Sequence, residues 1–304
     1  MPEERTERVV EIDGRTLKVS NLGKVLYPES GFTKAEVIDY YVRVAPTLLP
    51  HIADRGLTLR RYPNGVDAPS FFEKRCPSHR PDWVGTYPGP GDRNGTIGYC
   101  ALDSTAALAW SANLAALELH APMARGADIE SPTMCVFDLD PGPGTGIPEC
   151  AEVALDIKAV LDRLAGLQCF TKTSGSKGLQ VYVPLNTPHD HEHCSSFAQA
   201  VAQVLERHHA DRVTSTMAKK ARPNKVFIDW SQNSRHKTTI AVYSMRARPR
   251  PTVSTPVTWD EVDGAAGGEE LSFEAPHVLE RIDEHGDLFA PTLTLEQELP
   301  APKG

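Results

Sequence analysis

Val136-Phe137-Asp138-Leu139-Asp140 is the stretch on which both the fold and the chemistry of this chain turn. The apolar run from Met134 to Leu139 predicts a short strand, closed by Pro141-Gly142. Strand side chains alternate between faces, so Asp138 and Asp140 point the same way, two residues apart. Two crowded carboxylates repel each other, and a divalent cation resolves that repulsion. Oxygen ligands of this kind suit Mg²⁺ or Mn²⁺. A third acid stands in matching context in Val226-Phe227-Ile228-Asp229, again where an apolar strand ends. Three acids at the ends of core strands are the usual ligands of two metals about 4 Å apart, which activate an attacking oxygen and steady a leaving one. The plainer alternative for each acid is the cap of a turn.

Working outward, the elements alternate irregularly. Arg8 to Val19 reads as two strands joined at Asp13-Gly14. Thr33-Lys34-Ala35-Glu36 is a capping box, and it predicts a helix with Val37, Ile38, Tyr41, Val44, Ala45 and Leu48 on one face, stopping near Pro50. Leu57 to Tyr62 is a strand, and the Pro- and Gly-rich residues 76–98 are a loop. Asp103-Ser104 caps an alanine-rich helix that runs toward His120 and ends before Pro122. A helix from Glu149 to Ala165 stops at Gly166. Strands at Cys169–Thr173 and Gly178–Leu185 flank the turn Ser174-Gly175-Ser176-Lys177, and 191–209 is helical. Val226–Asp229 and Thr239–Tyr243 are strands around a polar loop. The class is α+β rather than strict βαβ alternation.

The net charge of −8 at first argues against a nucleic-acid partner. Its distribution argues the other way. Arg212 to Arg250 holds ten Lys or Arg and one acid, whereas Asp260 to the end holds twelve acids and two bases. A polyanion responds to the local field, not to the total; the alternative is a solvated charged face. No run of 18 apolar residues predicts a membrane span, and Met1-Pro2-Glu3-Glu4-Arg5 has no secretory character. Six scattered cysteines without a CxxC predict no paired disulfides and a reducing, cytoplasmic setting. Cys76-Pro77-Ser78-His79 and the histidines from His189 to His193 lack a partner pair at zinc-finger spacing.

Several segments can handle phosphate. Thr173 to Gly178 joins small residues to Lys177 between strands, which suits either an anion-binding turn or a plain hairpin. It is no P-loop, and Gly142 to Gly146 is a loop without the third glycine of GxGxxG. Gln232, Arg246 and His120 can each donate to a triphosphate, although a histidine at a helix end is also a common surface feature. Lys24 and Lys34 flank the start of the capped helix, where a helix N-terminus and two lysines would suit a terminal phosphate. Phe71 and Phe72 stand among charged residues; one is expected in the core, and the other to stack on a nucleobase. An apolar strand ending in DxD also occurs in haloacid-dehalogenase phosphatases. Those continue with Gly-Thr rather than Pro141-Gly142 and want a further acidic pair, whereas Asp229 stands alone. A non-catalytic nucleic-acid module is the third class.

Taken together, the ordered segments Asn21 to Pro28, Arg61 to Gly65, Phe71 to Lys74, Leu117 to His120, Phe137 to Gly142, Thr173 to Gly178, Val226 to Asn233 and Tyr243 to Arg246 resemble the polymerase domain of bacterial ligase D, a branch of the archaeo-eukaryotic primase superfamily. The resemblance implies a primase-polymerase fold, with an RRM-like antiparallel catalytic sheet and a smaller N-terminal α/β lobe. It implies a catalytic domain over 8–292, divided into an N-terminal lobe at 8–130, a catalytic lobe at 131–255 and a peripheral wrap at 256–292, with 293–304 a loose tail. It implies metal ligation by Asp138, Asp140 and Asp229, and triphosphate binding by His120, Ser174, Lys177, Gln232 and Arg246. Phe71 and Phe72 would meet the base and template, Asn21, Lys24 and Lys34 a 5′-phosphate, and Arg60 and Arg222 the substrate strands. The family prefers Mn²⁺ over Mg²⁺, favours ribonucleotides, and extends 3′ ends or fills gaps in DNA end joining. Such work implies gapped or broken DNA as partner, with an end-binding Ku-type protein and a separate ligase, in the cytoplasm at the nucleoid.

The stretch from His120 to Asp138 is shorter than in many of these proteins, a difference that bears on bridging of DNA ends. Residues 76–83 look more like the stand-alone members. The ligase signature KxDG is missing: Glu11-Ile12-Asp13-Gly14 and Glu261-Val262-Asp263-Gly264 carry Glu in place of the lysine, so no self-adenylation is expected.

Overall fold

The computed structural model describes residues 7–91 and 95–300. The strand Met134–Pro141 lies inside a six-stranded sheet, in the order Val213–Thr214, Val226–Asp229, Met134–Pro141, Leu179–Pro184, Phe170–Thr173, Pro256–Val257. Every pairing is antiparallel except the first. Alternation sorts its side chains as the sequence predicts. Cys135, Phe137 and Leu139 are sealed, with Val181, Val183, Val226 and Ile228, beneath the helices α3 (Ile147–Ala165) and α4 (His191–His208). Val136 and Tyr182 face the opposite way, into a second core.

That second core is built on α1 (Lys34–Ile52) and α2 (Thr105–Asn113), packed with a four-stranded antiparallel sheet ordered Thr239–Ile240, Ala116–Ala121, Thr58–Arg61, Phe71–Glu73. The capping box at Thr33 forms, with the Thr33 amide donating to Glu36 Oε2 at 2.7 Å. The helix runs two residues past Pro50, because a proline in the last turn forfeits a single amide donor. Tyrosines of α1 fasten the far segment 243–246: Tyr40 donates to the Tyr243 carbonyl at 2.8 Å, and Tyr41 OH accepts from the Met245 amide at 3.1 Å.

Four expectations need correction. The alanine-rich helix stops at Asn113 rather than before Pro122, because Ala115 turns left-handed (φ 56°) and Ala116–Ala121 enters the sheet. His120 therefore sits on a strand. The expected loop at 76–98 contains a hairpin, Thr86–Pro90 paired with Thr96–Cys100. Cys76 and Cys100 are joined in a disulfide, so cysteine scatter gives no reading of redox setting; the other four cysteines are free and buried. Finally, residues 293–300 are not loose. The Gln297 amide donates to the Leu185 carbonyl at 2.8 Å, and Leu299 is buried against the α3–α4 core. Residues 301–304 of that expected tail lie outside the described residues.

The acidic segment folds into α5 (Trp259–Ala266) and α6 (Ala275–His285), which bury Val262, Ala265, Val278 and Leu279. Among the described residues, no helix is long and apolar enough to cross a membrane.

Candidate active site

Sheet register decides which polar groups meet. Lys172 pairs across strands with Gln180, Gln180 with Asp138, and Asp138 with Asp229, so the four form one row on one face. The next row along holds Asp140 opposite Phe227. The Val136–Tyr182 row on the other side is core. The acids thus stand where that face leaves the apolar core and opens to a cavity.

Each acid is held differently. Asp138 Oδ1 accepts from Gln180 Nε2 at 3.0 Å. Asp229 is buried; its Oδ1 accepts from the Ser231 amide (3.0 Å) and hydroxyl (2.6 Å), and its Oδ2 from Gln232 Nε2 at 3.2 Å. It therefore caps the 3₁₀ turn Trp230–Asn233 and faces the pair as well. Burial first, and then Asp140 and Asp229, push the Asp138 carboxyl up to about 7. Asp140 is raised too, by burial first and then by Asp229, although Arg222 and Arg246 pull it back.

The cavity, about 420 Å³, lies between the two sheets. His120, Ser174, Lys177, Gln232, Arg246 and Arg222 all line it, together with Asp138 and Asp140; Asp229 stands just behind, one strand over. Gln232 Oε1 and Arg222 Nε are buried without a hydrogen-bond partner, and Arg246 Nε makes only an ion pair, 3.4 Å from Glu118 Oε1. Orphaned buried polar atoms are costly, and their gathering in one cavity marks a place for a polar ligand. Ser174 Oγ accepts from the Ser176 and Gly178 amides (3.3 and 3.2 Å), closing the turn that presents Lys177. A Cβ on Gly178 would stand 2.1 Å from the Leu139 carbonyl oxygen, so only glycine lets this turn press against the acid strand.

Glu118, missed from the sequence, organises the opposite wall. Its carboxylate is buried 3.0 Å from His120 Nε2, 3.4 Å from Arg246 Nε and 3.5 Å from Arg60 Nη1. Burial alone would raise its pKa, but His120, Arg246 and the Ala247 amide bring it down to about 2. Burial keeps His120 below the usual imidazole range despite Glu118. Lys172 and Gln180 were missed too. A lysine in a four-residue strand and a glutamine in an otherwise apolar run were the available signals. Burial lowers Lys172 to about 7, against the pull of Asp138.

Away from the cavity the placements vary. Phe71 and Phe72 are both exposed (45% and 56%), which corrects the expectation that one is core; they lie on the edge strand of the four-stranded sheet. Arg61 stacks on Phe71 at 5.2 Å. Arg60 is wedged between Phe72 (5.0 Å) and Tyr62 (5.2 Å). Arg222 lies 3.8 Å above Phe227. Asn21 takes a left-handed turn (φ 55°) beside Lys24, whose Nζ donates to Asn64 Oδ1 at 2.9 Å. Lys34 is buried and donates to the Ser20 carbonyl at 2.6 Å. The first amides of α1 are already used: Lys34 donates to Lys24 O, Ala35 to Leu22 O and Glu36 to Thr33 Oγ1. The helix N-terminus is thus satisfied by its own chain, and any anion held there must be held by side chains.

Does a divalent cation fit? Among the described residues, no three His, Cys, Asp or Glu side chains are already drawn around one point. The donor chemistry fits nonetheless: burial and the neighbouring carboxylates hold protons on Asp138 and Asp140, and a cation removes that penalty. A raised carboxyl pKa favours folding while protonated, so this contribution is full below about pH 4 and is lost as pH rises through about 7. Mn²⁺ should therefore raise the melting temperature by several degrees near pH 8 and far less near pH 5. Equal shifts in calorimetry at both values would show that Mn²⁺ binds elsewhere.

Carboxylates crowded on an antiparallel sheet thus face a cavity lined by Lys177, Arg222 and Arg246. Residues 33–289 match the family model described as LigD, primase-polymerase domain, and the chain belongs to that family. It is 48% identical over 281 residues to the multifunctional non-homologous end joining DNA repair protein LigD of Mycobacterium tuberculosis, covering 89% of this chain and 36% of that protein. With the Mycolicibacterium smegmatis protein the figures are 44% over 290 residues, 95% and 36%. With the bifunctional Bacillus subtilis protein they are 30% over 274 residues, 90% and 43%. The chain thus spans about a third of the length of its mycobacterial relatives. Among solved structures, the polymerase domain from Mycobacterium tuberculosis ligase D in complex with DNA superposes with a TM-score of 0.86 at 44% identity, covering 91% of this chain and 98% of that one.

Proposed function

We propose that this chain is a template-dependent primase-polymerase that extends 3′ ends and fills short gaps in DNA during double-strand-break end joining, with ribonucleotides preferred. The observation that carries the proposal is the cross-strand pairing of Asp138 with Asp229, beside Asp140, at the mouth of a cavity lined by buried polar atoms without hydrogen-bond partners. Two divalent ions, Mn²⁺ in preference to Mg²⁺, would be held by these acids and would supply acidification of the primer 3′-hydroxyl and charge relief for the departing pyrophosphate. The 3′-oxygen attacks the α-phosphorus in line, and the bond to pyrophosphate breaks.

The chain's own residues do the rest. Lys177 and Arg246 neutralise the β- and γ-phosphates, and His120, Ser174 and Gln232 orient them. Phe71 and Phe72, braced by arginines, stack on the base and the template. Arg60 and Arg222 meet the substrate strands. Residues 8–130 would hold the downstream DNA and 131–255 perform the chemistry, with 256–292 as support. The setting is the cytoplasm, at the nucleoid, with a Ku-type end-binding protein and a separate ligase. Primer extension on a gapped duplex with Mn²⁺ and ribonucleotides tests the proposal. Phosphate release from small esters without template would favour a phosphohydrolase, and DNA binding that survives loss of all three acids without any extension would favour a non-catalytic module.

Lys24, supported by Asn64 and beside Asn21 and Lys34, is proposed to hold the 5′-phosphate of the downstream strand. Lys24→Ala should weaken binding to 5′-phosphorylated gaps by about tenfold, the worth of one charged hydrogen bond. Equal weakening on gaps lacking that phosphate, by fluorescence anisotropy, would place the lysine's role elsewhere.

A further inference from the structure

We infer that Lys172 is a positioning residue that decides, through the Gln180 amide, which oxygen of Asp138 is kept by the protein and which is left for the cation. The inference rests on the reading of Asp138 as a metal ligand. Lys172 is 1% exposed, at the inner end of the acid row, and touches no solvent-filled part of the site. Its Nζ meets three groups: Gln180 Oε1 at 2.5 Å, Ser254 Oγ at 2.7 Å and the Ile240 carbonyl at 3.0 Å. All three must accept. A carbonyl has no proton to give, and the Ser254 hydroxyl spends its own on the Thr173 carbonyl at 2.7 Å. The lysine's three N–H donors are thereby all committed.

The consequence falls on Gln180. Its amide has one accepting end and one donating end, and either orientation fits the space. With Oε1 against the ammonium, the Nε2 end faces Asp138 Oδ1 at 3.0 Å. Flipped, it would set donor against donor at Lys172 and acceptor against acceptor at Asp138. Lys172 in its ammonium form, with the Tyr182 hydroxyl that also donates to Gln180 Oε1 at 3.1 Å, thus forbids the flip. Asp138 Oδ1 is occupied by a protein donor, and its second oxygen is left for the ion. A buried lysine without a carboxylate at hydrogen-bond distance is costly, and aliphatic replacement of buried charge is often tolerated. What it provides here is orientation.

The test is Mn²⁺ binding to the metal-free full chain, read from the electron paramagnetic resonance signal of free Mn²⁺, with folding checked by calorimetry. Lys172→Met should weaken Mn²⁺ binding by about tenfold or more, the range for groups that orient a metal ligand. Binding of gapped DNA without metal should be unchanged. Gln180→Met should cause a similar loss, and the double variant should be no worse than either single one, since both cut the same link. A merely structural lysine would give additive losses or none. Should Lys172→Met fail to fold, Gln180→Met decides: wild-type Mn²⁺ affinity there overturns the inference. Asp138→Ala separates the two levels. If that variant loses Mn²⁺ while Lys172→Met keeps it, only the positioning role falls; if Asp138→Ala keeps Mn²⁺, the metal-site reading itself falls.

Discussion

Asp138→Ala should abolish primer extension, by at least about 10²–10³-fold in kcat, the loss expected when one preorganised charge-stabilising group is removed. Binding of gapped DNA should survive, because the groups proposed to hold it lie on other elements: Lys24 beside α1, and Phe71 and Phe72 on an edge strand. The substitution should also stabilise the metal-free protein above about pH 7, since it deletes a carboxyl that folding raises to about 7. Activity and metal-free stability then move in opposite directions, as is common where a site concentrates like charge. Asp138→Asn should behave alike, since it keeps the shape and loses the charge. Extension at the wild-type rate under Mn²⁺ by either variant would remove Asp138 from the chemistry.

Glu118→Ala should cost the fold more than any other single change in the site. The carboxylate is buried among His120, Arg246 and Arg60, and its loss leaves cations facing one another without an anion. Breaking such a buried set typically costs about 3–5 kcal/mol, or roughly 10 °C in melting temperature. Its folded pKa lies near 2, below the ordinary 4.5, so its contribution is complete above about pH 4.5 and is lost as pH falls toward 2. Wild type should therefore lose stability over that acid range more steeply than Glu118→Gln. Because Arg246 and His120 line the cavity proposed to hold the triphosphate, the KM for nucleotide should rise as well. A melting temperature within a degree or two of wild type would show that the two arginines and His120 find other partners.

The site was legible in the sequence to an uneven degree. The strand with its DxD, the capped helix at Thr33 and the helix ending at Gly166 follow from local rules, and all three form. The order of motifs pointed to the family that the comparisons show. The end of α2 was not legible: Ala115 to Ala121 is apolar enough for helix or strand, and only pairing with Thr58–Arg61 settles it. Nor was the exposure of both phenylalanines, which goes with their place on the edge strand of the sheet. The Cys76–Cys100 link joins residues whose approach is set by how a hairpin folds back.

Periodicity and chain order by themselves determined that this protein is α+β and that Asp138 and Asp140 share a face. These are properties of a strand considered alone. Tertiary structure decided which residues meet those acids: Asp229 from across the sheet, Gln180 and Lys172 behind them, and Glu118 on the far wall. Their companionship comes from register between strands distant in the chain, and register is set by the packing of two cores on opposite faces of one sheet, information that no single segment carries.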